Sequence, residues 1–160
     1  LPNPRPARPD TATILDLDET FSPLKGCAST SGRMLWLGDC RKATWKANSI
    51  ESPTGEKYVT RICADTTPDE SEDRYKEDSM EVLIDGLRVL EFKNNARKYK
   101  CYVPSAPIST PLTTMTIKAS SKKEGGAVHM ALTQITIYFS DDGNVDITDF
   151  LPGPACLVCV

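Results

Sequence analysis

Histidine and long apolar runs are scarce in this sequence. His129 is the one histidine in 160 residues, and no stretch approaches the roughly 18 consecutive apolar residues of a membrane-spanning helix. Catalytic triads and most zinc enzymes depend on histidine, so its scarcity argues against both classes of enzyme. A glycine-rich phosphate loop is also missing, because Gly125-Gly126 follows a charged segment and indicates a hairpin tip. We expect His129 to be a structural or solvent-facing residue of a strand.

Positive charge is in short supply as well. The chain has 19 basic and 22 acidic residues, a net charge of −3, whereas nucleic-acid-binding domains are normally basic. The composition therefore predicts no nucleic-acid partner. A basic cluster at 93–100 has Tyr99 as its only stacking aromatic, so we expect a solvated strand edge guarded by lysine. Its cations are nevertheless candidate binding residues: Lys93, Arg97, Lys98 and Lys100.

Cysteine, by contrast, is plentiful. The six cysteines are Cys27, Cys40, Cys63, Cys101, Cys156 and Cys159. An even number, in a chain whose first residue is not Met, favours a processed, secreted protein in an oxidising compartment. The terminal C-x-x-C has no following helix to lower a thiol pKa, and no second short-spaced pair completes a zinc site. We expect three structural disulfides of open connectivity, with no metal and no cofactor.

Almost every segment has the composition of a β-strand, and no convincing helix is visible. The predicted strands are 11–17, 34–37, 43–45, 57–63, 80–84, 87–92, 98–103, 112–119, 128–139 and 145–150. Turn signals separate these strands, which predicts an all-β fold: an antiparallel β-barrel or β-sandwich of about nine to ten short strands, stabilised by disulfides. Residues 1–10 contain four of the 12 prolines and should form an extended arm, leaving 11–160 as a single domain.

Asp85-Gly86 is the strongest hairpin signal in the chain. A two-residue loop would place Ile84 opposite Leu87 and Val82 opposite Val89. The hairpin is then apolar on both faces, which predicts a central position in its sheet.

The predicted strand at 128–139 changes phase. Its apolar positions are first even and then odd: Val128, Met130, Leu132, then Ile135, Ile137 and Phe139. Because side chains alternate with a period of two, one extra residue is needed to keep a single inward face. We expect a β-bulge or a bend near Thr133-Gln134.

Residues 14–20, ILDLDET, carry the only enzyme-like motif. It resembles the DxDxT motif of haloacid-dehalogenase-type phosphatases, and 135–142 is similar to their late acidic motif. The resemblance implies Asp16 as nucleophile and Asp18 as general acid/base, both holding Mg²⁺. That fold needs a helix after each strand, and 21–134 supply strands, prolines and cysteines instead. The sequence therefore favours a non-enzyme, with a Mg²⁺-dependent phosphatase as one alternative.

The size, six cysteines and β-rich layout of the whole chain resemble secreted fungal effectors of the necrosis-inducing, host-selective toxin type. The resemblance implies a secreted, non-enzymatic protein that binds a host protein or receptor and triggers cell death. We expect a monomer, and Trp45, between Thr44 and Lys46, is a candidate exposed binding anchor. An extracellular β-sandwich module for adhesion, ligand carriage or inhibition is the alternative.

Overall fold

The computed structural model describes residues 10–31, 34–37, 42–47, 49–68, 79–93, 98–121 and 130–142. The strands are β1 (Thr11–Ile14), β2 (Phe21–Gly26), β3 (Ala28–Ser31), β4 (Met34–Leu37), β5 (Lys42–Ala47), β6 (Tyr58–Pro68), β7 (Ser79–Ile84), β8 (Leu87–Lys93), β9 (Lys98–Tyr102), β10 (Ile108–Ser109), β11 (Met115–Ser120) and β12 (Met130–Ser140), and α1 (Leu17–Thr20) is a single helical turn. Several predicted features lie outside the described residues: the arm except for its last residue, the strand at 145–150, Arg97, His129, Cys40, Cys156 and Cys159.

These strands form two antiparallel sheets that share one hydrophobic core. The five-stranded sheet has the order β2-β5-β11-β7-β8. The seven-stranded sheet has the order β10-β6-β12-β4-β3, with β9 also paired to β6 and β1 also paired to β12. The all-β prediction is confirmed, and of its two architectures the β-sandwich is the correct one. No helix in the described part of the chain is long and apolar enough to cross a membrane.

Alternating side chains of both sheets build the core, as the period-two pattern requires. The seven-stranded sheet contributes Leu35, Val59, Ile62, Leu132, Ile135, Ile137 and Phe139, and the five-stranded sheet contributes Phe21, Trp45, Met80, Val82, Leu90, Phe92, Met115 and Ile117.

Trp45 belongs to this core, and its predicted exposure is wrong. The side chain is 0 % exposed. Its polar neighbours Thr44 and Lys46 lie on the other face of β5, so their polarity marks the solvent face of the strand and not a loop tip. The indole Nε1 of Trp45 is buried and forms no hydrogen bond with a described residue.

The Asp85-Gly86 hairpin is confirmed, with one change of register. Asp85 has φ 52° and Gly86 has φ 77°, the left-handed pair of a type I′ turn. Ile84 pairs with Leu87 as predicted, but Val82 pairs with Leu90 because Val89 forms a bulge. The central position is correct for β7 and wrong for β8, which is the last strand of its sheet.

The bulge expected in the long strand is also confirmed. The pairing of β12 with β6 shifts between Leu132 and Gln134, so Thr133 is the extra residue. Its hydroxyl donates to the Asp65 carbonyl over 3.2 Å, which gives the unpaired residue a hydrogen bond. Leu132 and Ile135 are both buried as a result.

Strands β2, β3 and β10 were not predicted from the sequence. Pro23 lies inside β2, where it would disrupt a central strand, but β2 is the first strand of its sheet. An edge strand tolerates proline because one side of its backbone needs no ladder partner.

The phosphatase-like segment has a structural role. The predicted strand over 11–17 ends at Ile14, and Asp16 caps α1 by accepting a hydrogen bond from the Glu19 backbone amide at 3.1 Å. The antiparallel sheets differ from the parallel, helix-covered sheet that the motif requires.

Three of the predicted disulfide cysteines fall within the described residues. Cys63 of β6 and Cys101 of β9 form a cross-strand disulfide with a Cα–Cα distance of 4.0 Å. Cys27 is also disulfide-bonded, and no described cysteine is free. The expectation of structural disulfides is confirmed for these three.

Candidate functional site

The outer face of the seven-stranded sheet presents three rows of side chains that strand pairing brings together. The first row is Tyr99, Asp65 and Gln134, the second is Cys101, Cys63, Thr136 and Ile14, and the third is Arg61, Tyr138 and Ala12. The rows run across β9, β6, β12 and β1, with the disulfide in the middle row. We call this surface the tyrosine face.

Tyr99, Tyr138 and Arg61 form a cluster that joins the first and third rows. The guanidinium carbon of Arg61 lies 4.1 Å from the centre of the Tyr138 ring, within cation–π range. Tyr99 is close enough to both side chains for each of them to influence its pKa. Burial and the neighbouring Tyr138 raise the pKa of Tyr99, while the Arg61 charge opposes the rise. Tyr99 therefore stays a neutral hydrogen-bonding group through the physiological pH range.

Tyr99 is also the most exposed aromatic residue of the tyrosine face. Its side chain is 57 % exposed, so the ring surface is available to a ligand. Ile14, at the opposite border on β1, is 65 % exposed. An accessible aromatic ring and an apolar border on a hydrogen-bonded sheet can contact a ligand that is partly apolar.

Polar side chains lie on the two strands next to β9, with Asp65 directly opposite Tyr99 on β6 and Gln134 one strand further away on β12. Asp65 and Gln134 face each other across β6 and β12, and the Gln134 amide donates to the Thr136 hydroxyl over 3.2 Å. A carboxylate, an amide, a hydroxyl and a guanidinium together offer both donors and acceptors. The tyrosine face can thus bind a ligand with many hydroxyl groups.

The cations predicted from the 93–100 cluster do not form one site. Lys93 is exposed on β8, 3.0 Å from Glu91. Lys100 turns inward: its ammonium donates to the Glu91 carbonyl at 2.7 Å, and burial lowers its pKa. Lys98 is half-buried at the start of β9, and its backbone amide donates to the Thr66 hydroxyl. β9 pairs only with β6 among the described strands, as an edge strand should.

Like Tyr99 itself, four further residues of the tyrosine face were not predicted as functional from the sequence: Arg61, Asp65, Gln134 and Tyr138. Each occupies an outward position of a strand, where a polar residue carries no signal by itself. Only the pairing of β6 with β9 and β12 brings them beside Tyr99.

No protein-family model matches the sequence, and no curated protein matches it. Among solved structures, the chain is similar to a low-affinity xylan-binding module, CBM86, from Roseburia intestinalis, with 12 % identity and a TM-score of 0.50 over 84 % of this chain and 99 % of that one. It is similar in the same degree to the CBM27-1 module of Caldicellulosiruptor saccharolyticus in complex with mannohexaose, with 11 % identity, a TM-score of 0.50 and the same two coverages, 84 % and 99 %. A family two carbohydrate esterase from Cellvibrio japonicus has 12 % identity and a TM-score of 0.49 over 82 % of this chain, which spans 34 % of that enzyme. The likeness to the two modules shows the fold, a β-sandwich.

Proposed function

We propose that this protein is an extracellular, non-catalytic β-sandwich module that binds polysaccharide through the tyrosine face. The observation that carries the proposal is the exposed Tyr99 on the outer surface of the seven-stranded sheet, beside Arg61 and Tyr138. The fold adds support, because the two similar modules are described by their names as xylan-binding and as a complex with mannohexaose.

The chemistry of a sugar ring fits this surface. A pyranose presents a face of C–H groups that can lie on the electron-rich face of an aromatic ring such as Tyr99. Its edge carries hydroxyl groups, which donate to Asp65 and accept from Gln134 and Arg61. The Cys63–Cys101 disulfide holds β9 against β6, so the groups on these two strands keep their spacing without the ligand.

The extracellular location is supported by the disulfides, because such bonds persist mainly in oxidising compartments.

The test is a binding measurement on soluble xylan, mannan and glucan, with wild type and three variants. Tyr99→Ala removes the ring and should weaken binding by about tenfold, the equivalent of 1.4 kcal/mol. Tyr99→Phe keeps the ring and should retain most of the affinity. Leu87→Ala is the matched control, because Leu87 is 67 % exposed but lies in the hairpin of the other sheet. Absence of binding to all three polymers, or equal binding by Tyr99→Ala and wild type, would refute the proposal.

The resemblance to necrosis-inducing effectors predicts a different partner, a host protein, and stays a prediction. The disulfide-linked β-fold is compatible with it. Infiltration of pure protein into leaves separates the two hypotheses. Necrosis that persists with Tyr99→Ala would favour the effector hypothesis, because cell death would then not depend on the tyrosine face.

A further inference from the structure

The outer face of the five-stranded sheet is strongly basic, although the whole chain has a net charge of −3. Among the described residues, register places six basic and two acidic side chains on it: Lys25, Lys42, Lys46, Arg88, Lys93 and Lys118, with Glu81 and Glu91. We call this surface the lysine face.

The two acidic residues are engaged at one side of this face. Arg88 forms ion pairs with Glu81 and Glu91, and Lys93 forms a third with Glu91. The pairs lie on β7 and β8. The excess of positive charge is therefore concentrated on β2, β5 and β11.

Four lysines surround Thr44 in this charged region. Thr44 pairs with Lys25 of β2 on one side and with Lys118 of β11 on the other. Lys42 and Lys46 lie two residues before and after Thr44 on the same strand, about 7 Å away in each direction. All four lysines are exposed, and neither Lys46 nor Lys118 forms an ion pair with a described residue.

Hydroxyl groups fill the positions between the lysines. Ser22 and Thr116 flank Lys46 on the neighbouring strands, and Ser120 lies opposite Lys42. The Ser120 hydroxyl is 2.8 Å from that of Ser79 on the next strand. The lysine face therefore alternates fixed cations with groups that can donate to or accept from a hydroxyl.

We propose that the lysine face binds an acidic polysaccharide, a chain of uronic acid units. The four lysine ammonium groups lie within about a Debye length of their neighbours, so they repel one another and make the local electrostatic potential positive. A polymer with regularly spaced carboxylates would relieve that repulsion. Its sugar hydroxyls meet the Ser and Thr side chains between the lysines. The proposal is independent of the tyrosine face, which belongs to the other sheet.

A nucleic acid fits the lysine face less well. Single strands are bound by aromatic rings on which the bases stack, and the described positions of this face carry no aromatic side chain. The face is the surface of a five-stranded sheet, so it offers no helix or two-stranded ribbon to enter a groove.

The experiment compares polygalacturonate with its methyl ester, which is the same polymer without the charge. Wild type should bind polygalacturonate, lose affinity steeply as salt is raised, and bind the ester at least about tenfold more weakly. Lys118→Glu reverses a charge beside Thr44 and should weaken binding to polygalacturonate by about tenfold. Lys57→Glu is the matched control: it makes the same charge change at an exposed residue before β6 and should alter affinity by less than about twofold.

Two further comparisons distinguish the class of ligand and the face of the protein that binds it. Duplex DNA and phosphatidylserine vesicles are the competing polyanions, and equal binding to either one would overturn the assignment to acidic polysaccharide. Two results would refute binding of polygalacturonate to the lysine face. One is that Lys57→Glu weakens binding as much as Lys118→Glu does, and the other is that wild type does not bind polygalacturonate at low salt. Tyr99→Ala should leave polygalacturonate binding intact, and Lys118→Glu should leave neutral-polymer binding intact, so the two proposals can fail separately.

Discussion

The guanidinium carbon of Arg61 lies 4.1 Å from the centre of the Tyr138 ring, so a cation covers one face of an aromatic ring on the outside of the sandwich. Each side chain restricts the other, and both of them influence the pKa of Tyr99. Tyr99 is thereby left as the ring of this cluster with the most accessible surface.

The titration of Tyr99 should respond in opposite directions to changes at these two neighbours. Tyr138→Phe removes a group that raises the pKa of Tyr99 and should lower it, although burial keeps it above the ordinary value of 10.0. Arg61→Ala removes a charge that favours the phenolate and should raise the pKa further. Carbon-13 NMR of labelled tyrosine measures both shifts, and equal shifts of the same sign would contradict the cluster.

The raised pKa of Tyr99 also has a consequence for stability in base. The folded state favours the neutral phenol, so this contribution is complete below the unfolded pKa near 10.0 and is lost as pH rises through the folded pKa. Tyr99→Phe should show a smaller loss of stability above pH 10 than wild type.

Trp45 should be a stability determinant and not a binding residue. Trp45→Ala removes a fully buried ring and should cost about 3–5 kcal/mol of unfolding free energy. Trp45→Phe should cost clearly less, because it leaves a smaller cavity and removes a buried N–H that has no described hydrogen-bond partner. Denaturant titration of both variants measures the difference. A specific loss of polysaccharide affinity in a folded Trp45→Phe protein would place the ligand elsewhere.

Glu56 should make the loop before β6 sensitive to acid. Hydroxyl groups of Ser52 and Thr54 donate to its carboxylate and lower its pKa from 4.5 to about 2. The folded pKa is depressed, so this contribution is fully present above pH 4.5 and is lost as pH falls towards about 2.

The matched variant for this prediction is Glu56→Gln. It keeps the size of the side chain but has no carboxylate to titrate. The difference in melting temperature between wild type and Glu56→Gln should shrink steadily from pH 5 to pH 2. A difference that stays constant over that range would show that the hydrogen bonds of Glu56 do not depend on its charge.

The disulfide of the tyrosine face should contribute measurably to stability. Cys63 and Cys101 are 38 residues apart in sequence, and closing a loop of that length contributes about 2–4 kcal/mol. The double variant Cys63→Ala/Cys101→Ala should lower the free energy of unfolding by that amount in a urea titration. A change below about 0.5 kcal/mol would mean that the β6–β9 pairing is sufficient without the bond.

Local sequence signals predicted the elements whose cause is local. The Asp85-Gly86 turn and the Thr133 bulge follow from positive φ angles and from the two-residue period, and both were found where the sequence placed them. The bulge at Val89 was not predicted because the hairpin is apolar on both faces. A shift of one residue therefore leaves its pattern of apolar positions unchanged. The exposure of Trp45 was misjudged because polar neighbours on both sides fit an exposed position, whereas in a strand these neighbours lie on the opposite face.

The two candidate faces could not be predicted in the same way. Tyr99, Arg61 and Tyr138 come from three strands, and the lysines around Thr44 also come from three. Their proximity depends on strand order and register, which are set by the packing of the whole core. A window of sequence around Tyr99 contains neither Arg61 nor Tyr138, and a window around Thr44 contains Lys42 and Lys46 but neither Lys25 nor Lys118.

The tyrosine face and the lysine face belong to different sheets of one sandwich, and sheets packed face to face lie about 10 Å apart. If both faces bind their proposed ligands, one molecule would link a neutral polysaccharide to an acidic polysaccharide at a fixed distance. Neither ligand would compete with the other, and capture of one polymer would raise the effective concentration of the second. The thickness of the core would then set the distance between the two bound polymers.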